Sequence, residues 1–233
     1  MLSIRTWKLA GPAFAALASL NAGAALAAEK TEFTISIESV TTAETLTLPD
    51  GTFSAAPLSP GLFAISKNPD LLFTRGEAAG PALERLAEDG DAAPLIAALN
   101  GKASAEIAFS FLHDQPFTFR AEPGDRLHFA VMFAQSNDVF LAPRASGIEL
   151  FDRDGRPVSG DVTGAVVLWD AGTEVNQPPG AGVDQAPRQR APNIGTDENG
   201  VIHVLSDGYG YPAVANVIRV TIVARTELQT SRS

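Results

Sequence analysis

The strongest constraint on the fold is a succession of short apolar runs, closed by turn residues, with no helical pattern between them, across the C-terminal half. Ala105 to Leu112, Phe117 to Ala121, Arg126 to Phe133, Gly147 to Asp152, Gly164 to Asp170, Val201 to Ser206 and Val217 to Ala224 are strand-length and rich in Val, Ile and Phe. Pro123-Gly124-Asp125 and Asp154-Gly155 supply tight turns, and Asn199-Gly200 suits a turn that needs positive φ. Parallel neighbours would require crossover connections, usually helical, and none separates these runs. The late strands are therefore expected to be antiparallel. Phe33, Ile35 and Ile37 alternate with Thr34, Ser36 and Glu38 in a further strand with one buried face. Together these runs predict an all-β chain, an antiparallel β-sandwich of about eight strands.

Three stretches interrupt this pattern. From Val40 to Asn68 the apolar pieces are broken by Pro49-Asp50-Gly51, Pro57 and Pro60, which reads as an extended surface crossing with one further strand. Residues 77–100 read as a small helical insertion covering one end of the sheet. Gly80 and Pro81 open a helix with Leu83, Leu86 and Ala87 on one side and Gly90 at its close; Asp91 caps a second, with Leu95, Ile96 and Leu99 inward and Asn100-Gly101 as the stop. Residues 175–199 hold Pro178-Pro179-Gly180, Gly182, Pro187 and Pro192 and few apolar anchors. Such a loop is either a mobile excursion or a binding loop draped beside the carboxylate-bearing turn that precedes it, and the polar run from Gln185 to Arg190 favours the excursion.

Residues 1–27 have the form of a signal peptide: Arg5 and Lys8 open it, Leu9 to Leu20 is apolar, and Ala25-Leu26-Ala27 fits a cleavage site. This predicts an exported protein, periplasmic or secreted, with residues 28–233 as a single domain. No later segment reaches the roughly 20 apolar residues of a spanning helix, so no transmembrane anchor is expected. Loss of Arg5 and Lys8 moves the net charge from −10 to −12, which argues against nucleic acid as a partner. There is no cysteine, which excludes disulfides, thiol nucleophiles and zinc–thiolate sites.

One stretch carries chemistry. In Leu168-Trp169-Asp170-Ala171-Gly172-Thr173-Glu174-Val175-Asn176 an apolar strand runs into a Gly-containing turn flanked by two carboxylates. Gly172 permits the sharp turn, and Glu174 returns a second acid toward Asp170. Two acids held close repel each other, and a hard divalent cation relieves that repulsion. Calcium suits flexible loop oxygens and variable coordination better than magnesium, which demands a strict octahedron. The competing reading is that the acids cap backbone amides of the turn.

Several pieces resemble the spondin domain, the module of F-spondin and mindin that is also found in secreted bacterial proteins. They are Leu83-Glu84-Arg85-Leu86-Ala87-Glu88-Asp89-Gly90, Asp125-Arg126-Leu127 with Ser136-Asn137-Asp138-Val139-Phe140, the turn Trp169 to Asn176, and the closing Ala215-Asn216-Val217-Ile218-Arg219-Val220-Thr221-Ile222. The resemblance implies a C2-like antiparallel sandwich with one calcium ion, Ca2+, at one end. Carried over by position, the metal ligands are Asp138, Asp170 and Glu174, with the main-chain carbonyl of Trp169 as a further oxygen. Glu174 departs from the pattern, because the animal modules carry Asp there. The matrix and receptor roles of the animal proteins are not carried over; the expected role is a non-enzymatic adhesion or recognition module whose ion fixes the loops of its binding end, with an extracellular or periplasmic protein, a polysaccharide or a lipid surface as the partner.

Other acids and histidines read as structural. Asp152-Arg153-Asp154-Gly155 lacks the spacing of an EF-hand and reads as a hairpin turn, and Asp197-Glu198 reads as a solvated turn. His113, His128 and His203 form no local zinc pattern. No Gly-x-Ser-x-Gly elbow, phosphate loop or dinucleotide fingerprint occurs. Trp169 is expected to be buried beside its strand rather than offered as a stacking face. The alternative function is a metal-assisted hydrolase on the same acids with His203 as proton shuttle, which requires a histidine close to Asp170.

Overall fold

A computed structural model describes residues 30–101, 107–144 and 146–225. The signal peptide expected over 1–27 lies outside these residues. The chain forms an antiparallel sandwich with a helical pair on one outer face.

The strands, in chain order, are β1 Thr31–Ser39, β2 Leu46–Thr47, β3 Phe53–Ser54, β4 Gly61–Ser66, β5 Ile107–Phe111, β6 Phe117–Ala121, β7 Arg126–Met132, β8 Val139–Pro143, β9 Ile148–Glu149, β10 Gly160–Asp161, β11 Val166–Asp170, β12 His203–Val204 and β13 Ile218–Arg225. One sheet has the order β10-β13-β1-β6; the other runs β12-β11-β8-β7-β4-β5, with β9 on β7. In the smaller sheet Ile35 of β1 lies opposite Ile222 of β13 and Phe117 of β6, so the alternation read in β1 turns Phe33, Ile35 and Ile37 onto the core. The strands expected at 117–121, 126–133 and 217–224 agree closely with β6, β7 and β13. Those expected at 147–152 and 201–206 shrink to the short β9 and β12.

The surface crossing expected between Val40 and Asn68 is corrected. It contains β4, which sits between β5 and β7 in the larger sheet and is buried along its whole length. Phe63 and Ile65 face the smaller sheet, while Leu62 and Ala64 face the opposite layer. A strand covered on both faces reads as a continuous apolar run and shows no alternation. Gly61 is required at its start, because a Cβ there would lie 2.5 Å from the Phe111 ring and 2.8 Å from the Ala130 carbonyl. The wholly buried β8 escapes periodicity for the same reason.

The opposite layer is the helical pair, α1 Pro81–Asp89 and α2 Ala93–Asn100. Gly90 ends α1 at φ 70°, and Asp91 accepts the Ala93 amide at 3.1 Å to start α2. Leu83, Leu86, Leu95 and Leu99 pack on Leu62, Ala130, Phe140 and Trp169, so the pair covers a sheet face rather than only an end. Asn100 is bonded to β5 through both the Ala108 amide and its carbonyl. Among the described residues no helix is long and apolar enough to cross a membrane.

Candidate metal centre

Two turns at one end of the larger sheet meet. The first joins β7 to β8, and its shape is set by Ser136, whose hydroxyl donates to the Phe133 carbonyl and accepts the Val139 amide. The second follows β11, where Asp170 lies opposite Val139 on one side and His203 on the other. Gly172 takes φ 69°, and a Cβ there would lie 2.6 Å from the Val201 nitrogen. A side chain is therefore excluded at this position on both counts.

Asp138 is wholly buried. Its Oδ2 accepts the Thr173 amide at 2.7 Å, the Thr173 hydroxyl at 3.2 Å and the Glu174 amide at 3.1 Å. Its Oδ1 is buried without a hydrogen-bond partner. Asp170 places Oδ1 on the Gly172 amide at 2.8 Å and Oδ2 near the Asn176 amide nitrogen at 2.5 Å. The amide-capping role weighed from sequence thus takes up one oxygen of each aspartate.

Glu174 turns elsewhere. Its carboxylate accepts the Gly195 amide at 2.9 Å and the Asn137 side-chain amide at 3.1 Å. Glu198, read from sequence as a solvated turn residue, instead offers an oxygen within 4.8 Å of ligand oxygens on both Asp138 and Asp170. The 175–199 loop brings it there. Val175 bonds to Thr196, the Glu198 amide donates to the Thr173 carbonyl, and the Gly200 amide donates to the Gly172 carbonyl.

The loop is therefore draped beside the turn, correcting the excursion favoured from sequence. Gln185 is fully buried, and Arg188 donates to the Gly182 carbonyl, the Gln135 side chain and Gln185. The Asn137 side-chain oxygen Oδ1 also accepts the Gln177 main-chain amide at 3.0 Å.

The helical insertion contributes an acid that sequence reasoning passed over. Glu88 of α1 is buried, interacts with the Thr173 hydroxyl and lies close enough to Glu174 and Asp138 to feel their charge. Burial pushes its carboxyl up to about 7, against the Thr173 hydrogen bond. Burial, then the charge of Asp170, pushes Asp138 up to about 7. Glu174 and Glu198 are also raised, each chiefly by burial. A crowded group of acids with raised affinities for protons is a group short of positive charge.

The donor set suits a hard cation. It is all oxygen, it comes from separate loops, and it leaves Asp138 Oδ1 orphaned in the interior. Trp169 is buried, with its indole nitrogen donating to the Pro143 carbonyl and its ring against Phe73. Asp152 caps the Asp154 and Arg156 amides of a hairpin turn. His203 Nε2 lies 3.8 Å from Asp170 Oδ2, while His113 bonds to the Ser59 carbonyl and His128 is buried, its pKa held down to about 4 by that burial.

Fold and site together define an antiparallel sandwich with a convergent acidic end. No protein-family model matches the chain, and no curated protein matches it.

Proposed function

We propose that this chain is an exported, non-enzymatic module of spondin-like type that binds one calcium ion at the acidic end of the sandwich. The ion fixes the β7–β8 turn, the β11 turn and the 175–199 loop as a surface for adhesion or ligand recognition. The observation that carries the reading is Asp138 Oδ1, buried and unpartnered beside acidic neighbours on Asp170 and Glu198. An orphaned carboxylate oxygen in the interior is costly unless a cation or proton satisfies it. The ligand set is Asp138, Asp170 and Glu198, with Glu174 in the supporting ring through Asn137 and Gly195.

Calorimetric titration with calcium tests this. The wild-type chain is expected to bind one ion, Asp170→Ala and Glu198→Ala to lose most of that heat, and Glu174→Gln to retain binding. Equal heats from wild type and Asp170→Ala would sink the site.

The second reading, a metal-assisted hydrolase, is favoured by His203, which stands near Asp170 with Nδ1 on the Val201 carbonyl. That arrangement leaves Nε2 able to take a proton from an activated water. Metal-dependent ester or phosphoester hydrolysis that disappears in His203→Ala would replace the first reading with this one.

A further inference from the structure

Calcium takes about six to eight oxygen ligands. The acidic end brings three carboxylates within reach of one ion, those of Asp138, Asp170 and Glu198. Each aspartate has one oxygen left to give. Asp138 commits Oδ2 to the Thr173 and Glu174 amides and the Thr173 hydroxyl, which leaves Oδ1. Asp170 commits Oδ1 to the Gly172 amide, which leaves Oδ2. The carboxylates alone therefore leave the shell of the ion short of protein oxygens.

Asn176 stands at the second of these oxygens. Its Nδ2 lies 2.5 Å from Asp170 Oδ2, while its own Oδ1 is buried without a hydrogen-bond partner. The main chain around it is held. The Val175 amide donates to the Thr196 carbonyl at 2.8 Å, the Gln177 amide donates to Asn137 Oδ1 at 3.0 Å, and the Tyr209 hydroxyl donates to the Asn176 carbonyl at 3.5 Å. The side chain is thus delivered to Asp170 by fixed backbone, and its amide exchanges ends by rotation about its terminal torsion alone. With the NH2 toward Asp170, the carboxylate is satisfied and the carbonyl end is stranded in the interior, which is unfavourable. Turned over, the amide sets one oxygen against another, an arrangement that repels unless both oxygens hold the same cation.

We propose that Asn176 is a ligand of the calcium ion through Oδ1, its amide turned over from the orientation that hydrogen-bonds Asp170. The inference rests on the calcium reading above and adds to it a neutral ligand from the β11 turn. Amide side-chain oxygens are ordinary calcium ligands, and one here brings no further negative charge among Asp138, Asp170 and Glu198. His203 does not compete for the same carboxylate oxygen, since its Nε2 lies 3.8 Å away, beyond hydrogen-bond distance.

The test uses the mature chain, residues 28–233, in which Trp169 is the only tryptophan. Calcium affinity is measured by calorimetry. Terbium, a hard stand-in for calcium, is then bound at saturation and excited through Trp169, and its emission lifetimes in H2O and D2O count the waters on the ion. Asn176→Ala is expected to bind calcium about tenfold more weakly or worse, equivalent to about 1.4 kcal/mol, and to carry about one more terbium-bound water than wild type. Asn176→Asp keeps an oxygen in place, so it is expected to bind calcium at least as tightly as wild type. In chelator the same variant is expected to melt lower, because a carboxylate faces Asp170 where the NH2 stood. A residue that only donates a hydrogen bond to Asp170 behaves otherwise. Asn176→Asp weakened as far as Asn176→Ala, an unchanged water count in Asn176→Ala, or wild-type affinity in Asn176→Ala overturns the proposal. Binding lost in Asp170→Ala but kept in Asn176→Ala overturns this inference alone, whereas a wild-type chain that binds neither ion overturns the calcium reading with it.

Discussion

In chelator the protein is expected to lose stability as the pH rises from 5 to 8, and Asp138→Asn to remove a large part of that loss. The Asp138 carboxyl is raised from 3.8 to about 7 by burial and by the charge of Asp170. The unfolded chain releases this proton near its ordinary value, while the folded chain keeps it until near neutrality. Between those values the folded state binds more protons, so stability falls with rising pH and the loss is complete above about 7. The whole displacement of about three units corresponds to about 4 kcal/mol, and the part between pH 5 and 8, about two units, to about 3 kcal/mol. For a domain of this size that is a fall in Tm of about 10 °C.

Asparagine keeps an oxygen for the Thr173 and Glu174 amides and places an NH2 where Oδ1 is orphaned. At pH 8 in chelator the variant is expected to melt above wild type, corresponding to about 2–4 kcal/mol, and to match it near pH 5. Glu88 retains a smaller pH dependence of the same sign, because its carboxyl is also raised. Calcium is expected to lift the wild-type melting temperature strongly at pH 8 and to leave the variant nearly unmoved. Thermal melts followed by circular dichroism at the two pH values provide the check. A wild-type Tm that stays flat from pH 5 to 8 in chelator, or a variant that tracks wild type, refutes the reasoning.

Other outcomes follow from particular contacts. Gly172→Ala combines positive φ with a Cβ against the Val201 nitrogen, so it is expected to cost about 2 kcal/mol or more and to weaken calcium binding; melts and titration read both. Arg188→Ala releases three anchors of the 175–199 loop, and limited proteolysis is expected to cut within that loop sooner than in wild type; an unchanged cleavage rate counts against its packing role. Phe129→Ala empties the centre of the inter-sheet core, where Phe129 is wholly buried, and chemical denaturation is expected to show a loss of about 3–5 kcal/mol with no change in calcium stoichiometry.

The acidic end was partly legible in the chain order. Asp170 sits in a turn whose chemistry is local, so a string of residues suffices to find it, whereas Asp138 was named only by position, through the resemblance to the spondin domain. Glu174 belongs to the same turn, but whether its carboxylate joins Asp170 or points away depends on Gly195 and Asn137, which local sequence does not bring near. Glu198 had no such signal. Its place beside Asp138 depends on the loop folding back so that its amide meets the Thr173 carbonyl. Glu88 was hidden for a similar reason, since a charge on an amphipathic helix reads as solvated until the helix is docked.

By itself the sequence determined what short-range physics controls: antiparallel strands from period-two patterns and tight turns, two small helices between glycine and proline signals, and an acid-bearing turn that needs glycine. Only the tertiary structure decided that β4 lies inside the larger sheet, because burial on both faces erases the alternation that marks a strand. It also decided which acids converge. That is a product of distant segments brought together by packing, and no periodicity within one segment encodes it.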